Sequence, residues 1–387
     1  MLSDADLTLL LGRIQTRLDR VNRLYISKIA GQIAKIGELS QSNINRLVIM
    51  AEMMQDVNEI TAALQQATGL NVTDIQAVYA KAMAATYTDP RFTAAYKAGV
   101  KVPPETRERL RTIVQNISTQ TTKTMLNLSN TTLISKPYQD AVDRAIIATA
   151  TGLSGYSAAT RDVVREIGYS GMQVLYPSGY HRRLDTAVRQ NVIDGTKQIS
   201  QNGAKAIGDS IGYDAYELSA HAHSAPDHEP VQGHVLLKSE YDMMQAGLPF
   251  MDVDGNKFDG FDRPIGEWNC KHFAFPFSTK FSKRKYTPEQ LQQFITDNHK
   301  GCDMDGKHYT IYGAEQLMRQ TETQVRRLKD EAVAAQIAGD DVLRWQCQMQ
   351  INSLMAKYGQ IAALSGLTPH RNRTTVEGFV PLKKQPF

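Results

Sequence analysis

The side chains best equipped for chemistry crowd into one stretch, Tyr216 to Phe277, which holds His221, His223, His228, His234, Cys270 and His272. Zinc accepts imidazole and thiolate, and three or four such groups must converge on it tetrahedrally. His221, His228, Cys270 and His272 are therefore the candidates for a metal site. Cys270 and His272 stand two apart, and alternate residues of a strand point to one side, so both can reach one ion. No second ligand pair completes a familiar spacing, and a competing reading needs no metal. In it the imidazoles and Gln232 hydrogen-bond backbone groups of an irregular loop, each bond adding about 1 kcal/mol.

Other chemistries fit the same residues less well. Cys270 beside His228 or His272 has the composition of a thiol nucleophile with its base, but no oxyanion site or third orienting group accompanies it. Asp252-x-Asp254-Gly255-Asn256 hints at calcium, yet an EF-hand loop requires three acidic or amide positions before its glycine and a glutamate six residues later. That segment reads as turns. Lys283, Arg284 and Lys285, after Lys280, and Arg326-Arg327 with Lys329 are short basic clusters able to meet phosphates; such clusters also serve simply as solvated faces.

The elements that must position these groups are mostly helices. Apolar residues at Leu7, Leu10, Leu11, Ile14, Leu18, Val21, Tyr25, Ile29, Ile33 and Ile36 predict one amphipathic helix of about 30 residues, with Ser3 and Asp6 as a capping box. Its stripe suits either a partner-docking face or the core of its own domain. Ser40 or Ser42 caps a second helix that Gly69 is expected to stop, and a third runs from Thr73 to the Asp89-Pro90 break. Pro104 opens a fourth through Leu128. Two shorter ones span Pro137 to Ala150 and Ala158 to Ile167, separated by Gly152-Leu153-Ser154-Gly155. The Tyr- and Gly-rich segment from Tyr169 to Tyr180 reads as a linker, and His181 to Gly208 as a helix.

Strands are expected at Asp214 to Ser219 and Val235 to Leu237, with a helical turn from Ser239 to Gln245 and Asp-Gly turns at Gly255 and Gly260. A helix follows Thr287, then a short hairpin or turn at residues 303–310. An αα-hairpin of Tyr312 to Ile337 and Asp340 to Gln360 turns at Gly339, and an extended tail from Thr368 is free to lie on a neighbouring chain. The expected class is mainly α with a small α+β module. Its regions are a helical N-terminal part (1–170), a compact mixed module (171–286), and a C-terminal helical hairpin with its tail (287–387).

The totals narrow the function. The chain has 387 residues and a formal net charge of +4 from 44 basic and 40 acidic residues, too small an excess to coat nucleic acid by itself. Three widely spaced cysteines argue for free thiols in a reducing compartment. No run approaches the ~20 apolar residues of a membrane span, and Met1-Leu2-Ser3-Asp4-Ala5-Asp6 begins with acids where a secretory signal carries lysines. Synthesis and assembly in the cytoplasm are expected. The first 170 residues hold no histidine or cysteine, so their expected work is mechanical.

The run Tyr180-His181-Arg182-Arg183-Leu184-Asp185-Thr186-Ala187-Val188-Arg189-Gln190-Asn191-Val192, then Ala220-His221-Ala222, His228 with Gln232-Gly233, and Asn269-Cys270-Lys271-His272 with Pro276-Phe277 closely resembles the phage minor capsid protein 2 family. Arg189, His221, His228, Gln232, Gly233, Asn269, Cys270 and His272 carry the signature. The family's Gly-Ala-Arg-Pro-x-His and Trp-Gln-Gly stand here as His223-Ser224-Ala225-Pro226-Asp227-His228 and Val231-Gln232-Gly233, so an arginine-dependent role at that loop is not implied. The resemblance implies a structural, non-enzymatic head protein of a tailed phage, acting in head morphogenesis at or near the portal vertex. Its partners would be the portal ring, capsid proteins, other copies of itself and, as a further one, packaged DNA, with no membrane and no cofactor, or zinc if the cluster binds one. Its helical ends would be docking arms. The rival class is a metal-dependent nucleic-acid hydrolase or an effector delivered with the genome.

Overall fold

The computed structural model describes residues 4–38, 46–151, 156–260, 263–266 and 270–383. Two compact units emerge, each gathered from three parts of the chain: one from Met1–Leu11, Val72–Thr124 and Gln190–Ala314, the other from Gly12–Asn71, Met125–Arg189 and Glu315–Phe387. The expected class holds: long helices dominate, with small antiparallel sheets between them.

The apolar stripe of α1 (Asp4–Glu38) is used up in packing, for Ile14, Leu18, Val21, Tyr25, Ile29, Ile33 and Ile36 are all buried. That outcome fits a core helix; its outer face carries exposed Arg13, and Arg20 paired with Glu377 at 3.2 Å. The expected caps Ser3, Ser40 and Ser42 and the break at Gly152 to Gly155 lie outside the described residues.

Gly69 does not stop a helix: α2 runs unbroken from Arg46 to Tyr87. A helical glycine costs only about 1 kcal/mol, and the buried stripe continues in phase through Ala67, Asn71, Ile75 and Tyr79. Buried Asn71 accepts a hydrogen bond from Arg17 Nη1 at 3.0 Å, and Thr68 Oγ1 donates to the Leu64 carbonyl at 2.8 Å. The Asp89-Pro90 break is real. Asp89 takes an extended conformation and caps the 3₁₀ turn Pro90–Phe92, after which come short α3 (Thr93–Lys97) and α4 (Pro104–Asn130).

The second correction concerns the segment around residue 175. β1 (Thr132–Leu133) leads into α5 (Ser135–Thr151) and α6 (Tyr156–Ser170); β2 (Gln173–Leu175) and β3 (His181–Arg183) follow. These strands pair in the order β1-β2-β3, all antiparallel. Strands are thus not confined to the central stretch, and the helix expected from His181 starts only at Leu184, as α7 (Leu184–Ser210). The turn explains it: Gly179 sits at φ +80° and Tyr176 N donates to the Tyr180 carbonyl at 2.9 Å, closing a hairpin.

In the unit that holds β3, buried charge is concentrated. α10 (Ile311–Ile337) and α11 (Asp341–Ser365) form the expected hairpin at Gly339, φ +71°. Arg183, 7% exposed, bonds Asp330 at 2.7 Å and Asp185 at 3.4 Å, while Arg326 reaches Asp185 at 2.5 Å and Asp19 at 3.0 Å. Three carboxylates meet two guanidiniums, so one negative charge is in excess. Burial opposes ionisation of Asp185, but Arg326 and Arg183 outweigh it and hold the carboxyl below its ordinary range. Asp19 carries the opposite balance: burial raises it to about 6 despite Arg326.

The tail is a third correction. Instead of lying extended on another chain it folds onto α10 and α11 through the 3₁₀ turn Arg371–Thr374. Lys329 Nζ donates to the Thr374 carbonyl at 2.7 Å, His370 N to the Tyr358 hydroxyl at 2.8 Å, and Leu382 N to Gln348 Oε1 at 3.0 Å. Phe379 packs against Val325, Leu328 and Ile351.

Two outcomes follow from this packing. In the other unit α7 crosses α2 and α4 at Gly195, where an added Cβ would fall on the Tyr79 hydroxyl, itself 3.0 Å from Thr121 Oγ1. Gly195→Ala is expected to lower stability by about 1–3 kcal/mol through overpacking, with partial recovery in Gly195→Ala/Tyr79→Phe; equal urea midpoints for wild type and single variant would contradict the close approach. For the charge cluster, Asp19 is raised in the folded state, so its contribution falls as pH climbs from about 4 to 6, whereas the depressed Asp185 loses its contribution as pH drops below about 4. Asp19→Asn should flatten the urea midpoint between pH 4 and 6 while leaving the loss in stronger acid; an unchanged profile refutes the assignment.

Candidate functional site

The central module begins at β4 (Ala215–Leu218), passes the 3₁₀ turn Glu229–Val231, and continues through β5 (Val235–Leu237), α8 (Lys238–Gln245), β6 (Phe250–Met251) and β7 (Lys257–Phe258) to β8 (Ala274–Phe277). Its sheet has the order β5-β4-β8 with both pairings antiparallel. Both strands on either side of the β4–β8 seam are buried throughout, as their alanine, leucine and aromatic side chains require. β8 was not legible in advance because Pro276 interrupts it. At the sheet edge the missing N–H has no partner to lose.

Register does the positioning. Leu218 lies opposite Ala274, so the loop leaving β4 and the segment entering β8 start from the same end of the seam. Ser219 N donates to the Phe273 carbonyl at 2.8 Å and Phe273 N to Ser219 Oγ at 2.9 Å, extending the pairing by one residue. His221 and His272 consequently stack, ring centroids 4.5 Å apart. Cys270 Sγ sits 3.3 Å from His228 Nδ1 and 3.6 Å from His272 Nδ1. His228, Cys270 and His272 offer ligand atoms all within 4.8 Å of one another, at 1%, 2% and 3% exposure.

Outer contacts fix each ring. His228 Nε2 donates to the Arg263 carbonyl at 2.6 Å, and Arg263 is clamped by Asp227 at 2.8 and 2.9 Å. His272 Nε2 lies 3.4 Å from both Gln232 Oε1 and Ser224 Oγ. Gln232 Oε1 also accepts from His221 N at 3.0 Å, and next to it Gly233 holds φ +78° against Leu291, where a Cβ would not fit. Burial pushes the Cys270 thiol up, but the hydrogen bond with His228 outweighs it and the net shift is downward. His228 is raised despite burial, by Cys270 and the Arg263 carbonyl, whereas burial and then His221 press His272 down to about 3.

The remaining predicted residues fall elsewhere. Asn269 lies outside the described residues, and Arg189, on α7, belongs to the other unit. His234 bonds Asp252 at 2.6 Å, and the Asp252 carboxylate also accepts from Asp254 N, Asn256 N and Asn256 Nδ2. With its lone pairs taken by protein donors, this is a turn and not a calcium loop. Lys283, Arg284 and Lys285 lie on an exposed segment after β8, in which Arg284 is already paired with Asp254 at 2.6 Å.

Three contributors gave no sequence signal. Buried Asn298, in α9 (Pro288–Lys300), donates through Nδ2 to the Ser224 carbonyl at 3.3 Å and to Glu229 Oε2 at 2.7 Å. Gln201, on α7, accepts from Ala274 N and donates to its carbonyl, standing in for a further strand at the sheet edge. Lys197 Nζ donates to the Cys270 carbonyl. Each is a polar residue on a helix, a pattern shared with every solvated face.

The arrangement seals the Cys270 thiol away from solvent. It ties two loops, and its chemistry is that of a hydrogen-bonded or metal-linked staple on a mainly helical protein. Among the described residues no helix is long and apolar enough to cross a membrane. The family model for phage minor capsid protein 2 matches residues 16–360, and the chain belongs to that family. It is thus a structural capsid protein of a phage virion, associating with other virion proteins. No curated protein and no solved structure matches the chain.

Asn298→Ala removes both donors from the loop around His228. It should destabilise the protein by about 1–3 kcal/mol, since buried acceptors are left unpaired, and accelerate amide exchange across 219–234; exchange there equal to wild type would show that α9 does not brace the loop.

Proposed function

We propose that this capsid protein is bound at or near the portal vertex, where it acts in head morphogenesis without catalysing a reaction. The family match over 16–360 carries the reading. Burial of His228, Cys270 and His272 supports its non-catalytic part, because a metal-dependent hydrolase needs a position that a phosphodiester can reach. Most of the apolar stripe of α1 is spent on the core, while Val342, Met349 and Leu364 of α11 stay exposed, so docking on the portal ring can use the polar face of α1 and the outer face of α11. Packaged DNA would be met by Lys280, Lys283 and Lys285, with Arg284 held back by Asp254.

Co-expression with the cognate portal, followed by imaging of the portal vertex in mature heads, tests this. Density for the protein at the vertex and co-purification with the portal are expected; a protein that fails to bind the portal and is missing from virions by mass spectrometry defeats the proposal. Nuclease activity abolished by Cys270→Ser would promote the hydrolase reading instead.

A further inference from the structure

Two imidazole lone pairs face one sulfur in the central module, and a thiol has one hydrogen to give. The tautomers follow from the partners. The Arg263 carbonyl can only accept, so His228 carries its proton on Nε2 and leaves Nδ1 bare toward Cys270 Sγ. Gln232 Oε1 is fixed as an acceptor by the His221 N–H, and the Ser224 hydroxyl spends its hydrogen on the Ala225 carbonyl at 3.2 Å. Both can only accept from His272 Nε2, so His272 Nδ1 is bare as well, again toward Cys270 Sγ. A thiol has one proton and can give it to only one of these two nitrogens, in a site at most 3% exposed.

We propose that His228 Nδ1, Cys270 Sγ and His272 Nδ1 together bind one zinc-class divalent ion, which fastens the loop after β4 to the segment before β8. An ion in place of the thiol proton engages both nitrogens and the thiolate at once. The separations suit it: bonds of about 2.0–2.1 Å to nitrogen and 2.3 Å to sulfur in a tetrahedron put N and S roughly 3.5 Å apart, against 3.3 and 3.6 Å here. Each imidazole uses its other nitrogen on a carbonyl or amide oxygen, the outer contact that orients metal-bound histidines. His272 N donates to Cys270 Sγ at 3.3 Å, a contact that stabilises thiolate. Sulfur with two imidazoles selects zinc over magnesium or calcium. The His221 ring stacks on His272 beside this cluster.

The full-length protein, purified under reducing conditions with zinc supplied, should hold close to one zinc per chain by elemental analysis. Cobalt exchanged into it should show the intense tetrahedral visible bands and a thiolate-to-cobalt charge-transfer band. Cys270→Ser and His228→Gln should lose the metal, while Cys302→Ser and His234→Gln keep it. Should the first two variants fold poorly, the cobalt spectrum of the wild type decides alone. Wild-type protein without stoichiometric zinc after reconstitution, a cobalt complex lacking the thiolate band, or zinc retained in Cys270→Ser would each overturn the assignment.

Discussion

The antiparallel register between β4 and β8 is the constraint on which the central module depends. Opposing Leu218 to Ala274 costs the closure of a long intervening loop, a cost that grows only slowly with length. What it delivers is exact placement: the residues just beyond the seam, Ser219 to His221 and Cys270 to Phe273, must meet. A slip of one residue would turn Tyr216 and Leu218 from the core they share with Leu236, Met244 and Cys270. The same apolar burial that sets the register therefore sets the positions of the histidines, and no separate device is needed to gather them.

The other unit is held together by a different kind of specificity. Its helices bury long aliphatic stripes, which are tolerant of rotation and sliding, but Arg183 and Arg326 are compatible with only one arrangement of Asp19, Asp185 and Asp330. Buried ion pairs add little net stability, because desolvation offsets their attraction; breaking one leaves a stranded charge and is penalised by several kcal/mol. The cluster therefore acts against misaligned packings more than it adds to the aligned one. For a protein whose role is to hold its place among other virion proteins, a single well-defined surface matters more than excess stability.

Much of the helical frame could be read from periodicity, and the failures have definite causes. Gly69 looked like a stop because glycine is a common helix terminator, yet nothing else changes there: the stripe from Ala67 to Asn71 to Ile75 keeps its four-residue step. Residues 181–183 took on the helical pattern of the segment they precede, and only pairing with β2, invisible locally, makes them a strand. The tail looked extended because it is polar, but its backbone groups find partners on Lys329, Tyr358 and Gln348, far away in sequence. The reversal at residues 303–310 was legible as a hairpin or turn, and Asp305 and Gly306 both take the left-handed conformation that the hairpin's turn demands.

At the site, residue types were legible but their geometry was not. The sequence offered six histidine and cysteine side chains in one stretch; His234 went to Asp252 in a turn, while His221, His228, Cys270 and His272 converged. Their convergence depends on the pairing of β4 with β8, strands more than fifty residues apart. The orienting groups were still less visible. The Arg263 carbonyl belongs to the backbone, and Asn298 acts from a helix in another part of the chain. These hidden acceptors assign the protons and turn two nitrogens toward a single sulfur, which ordinary polar packing does not require.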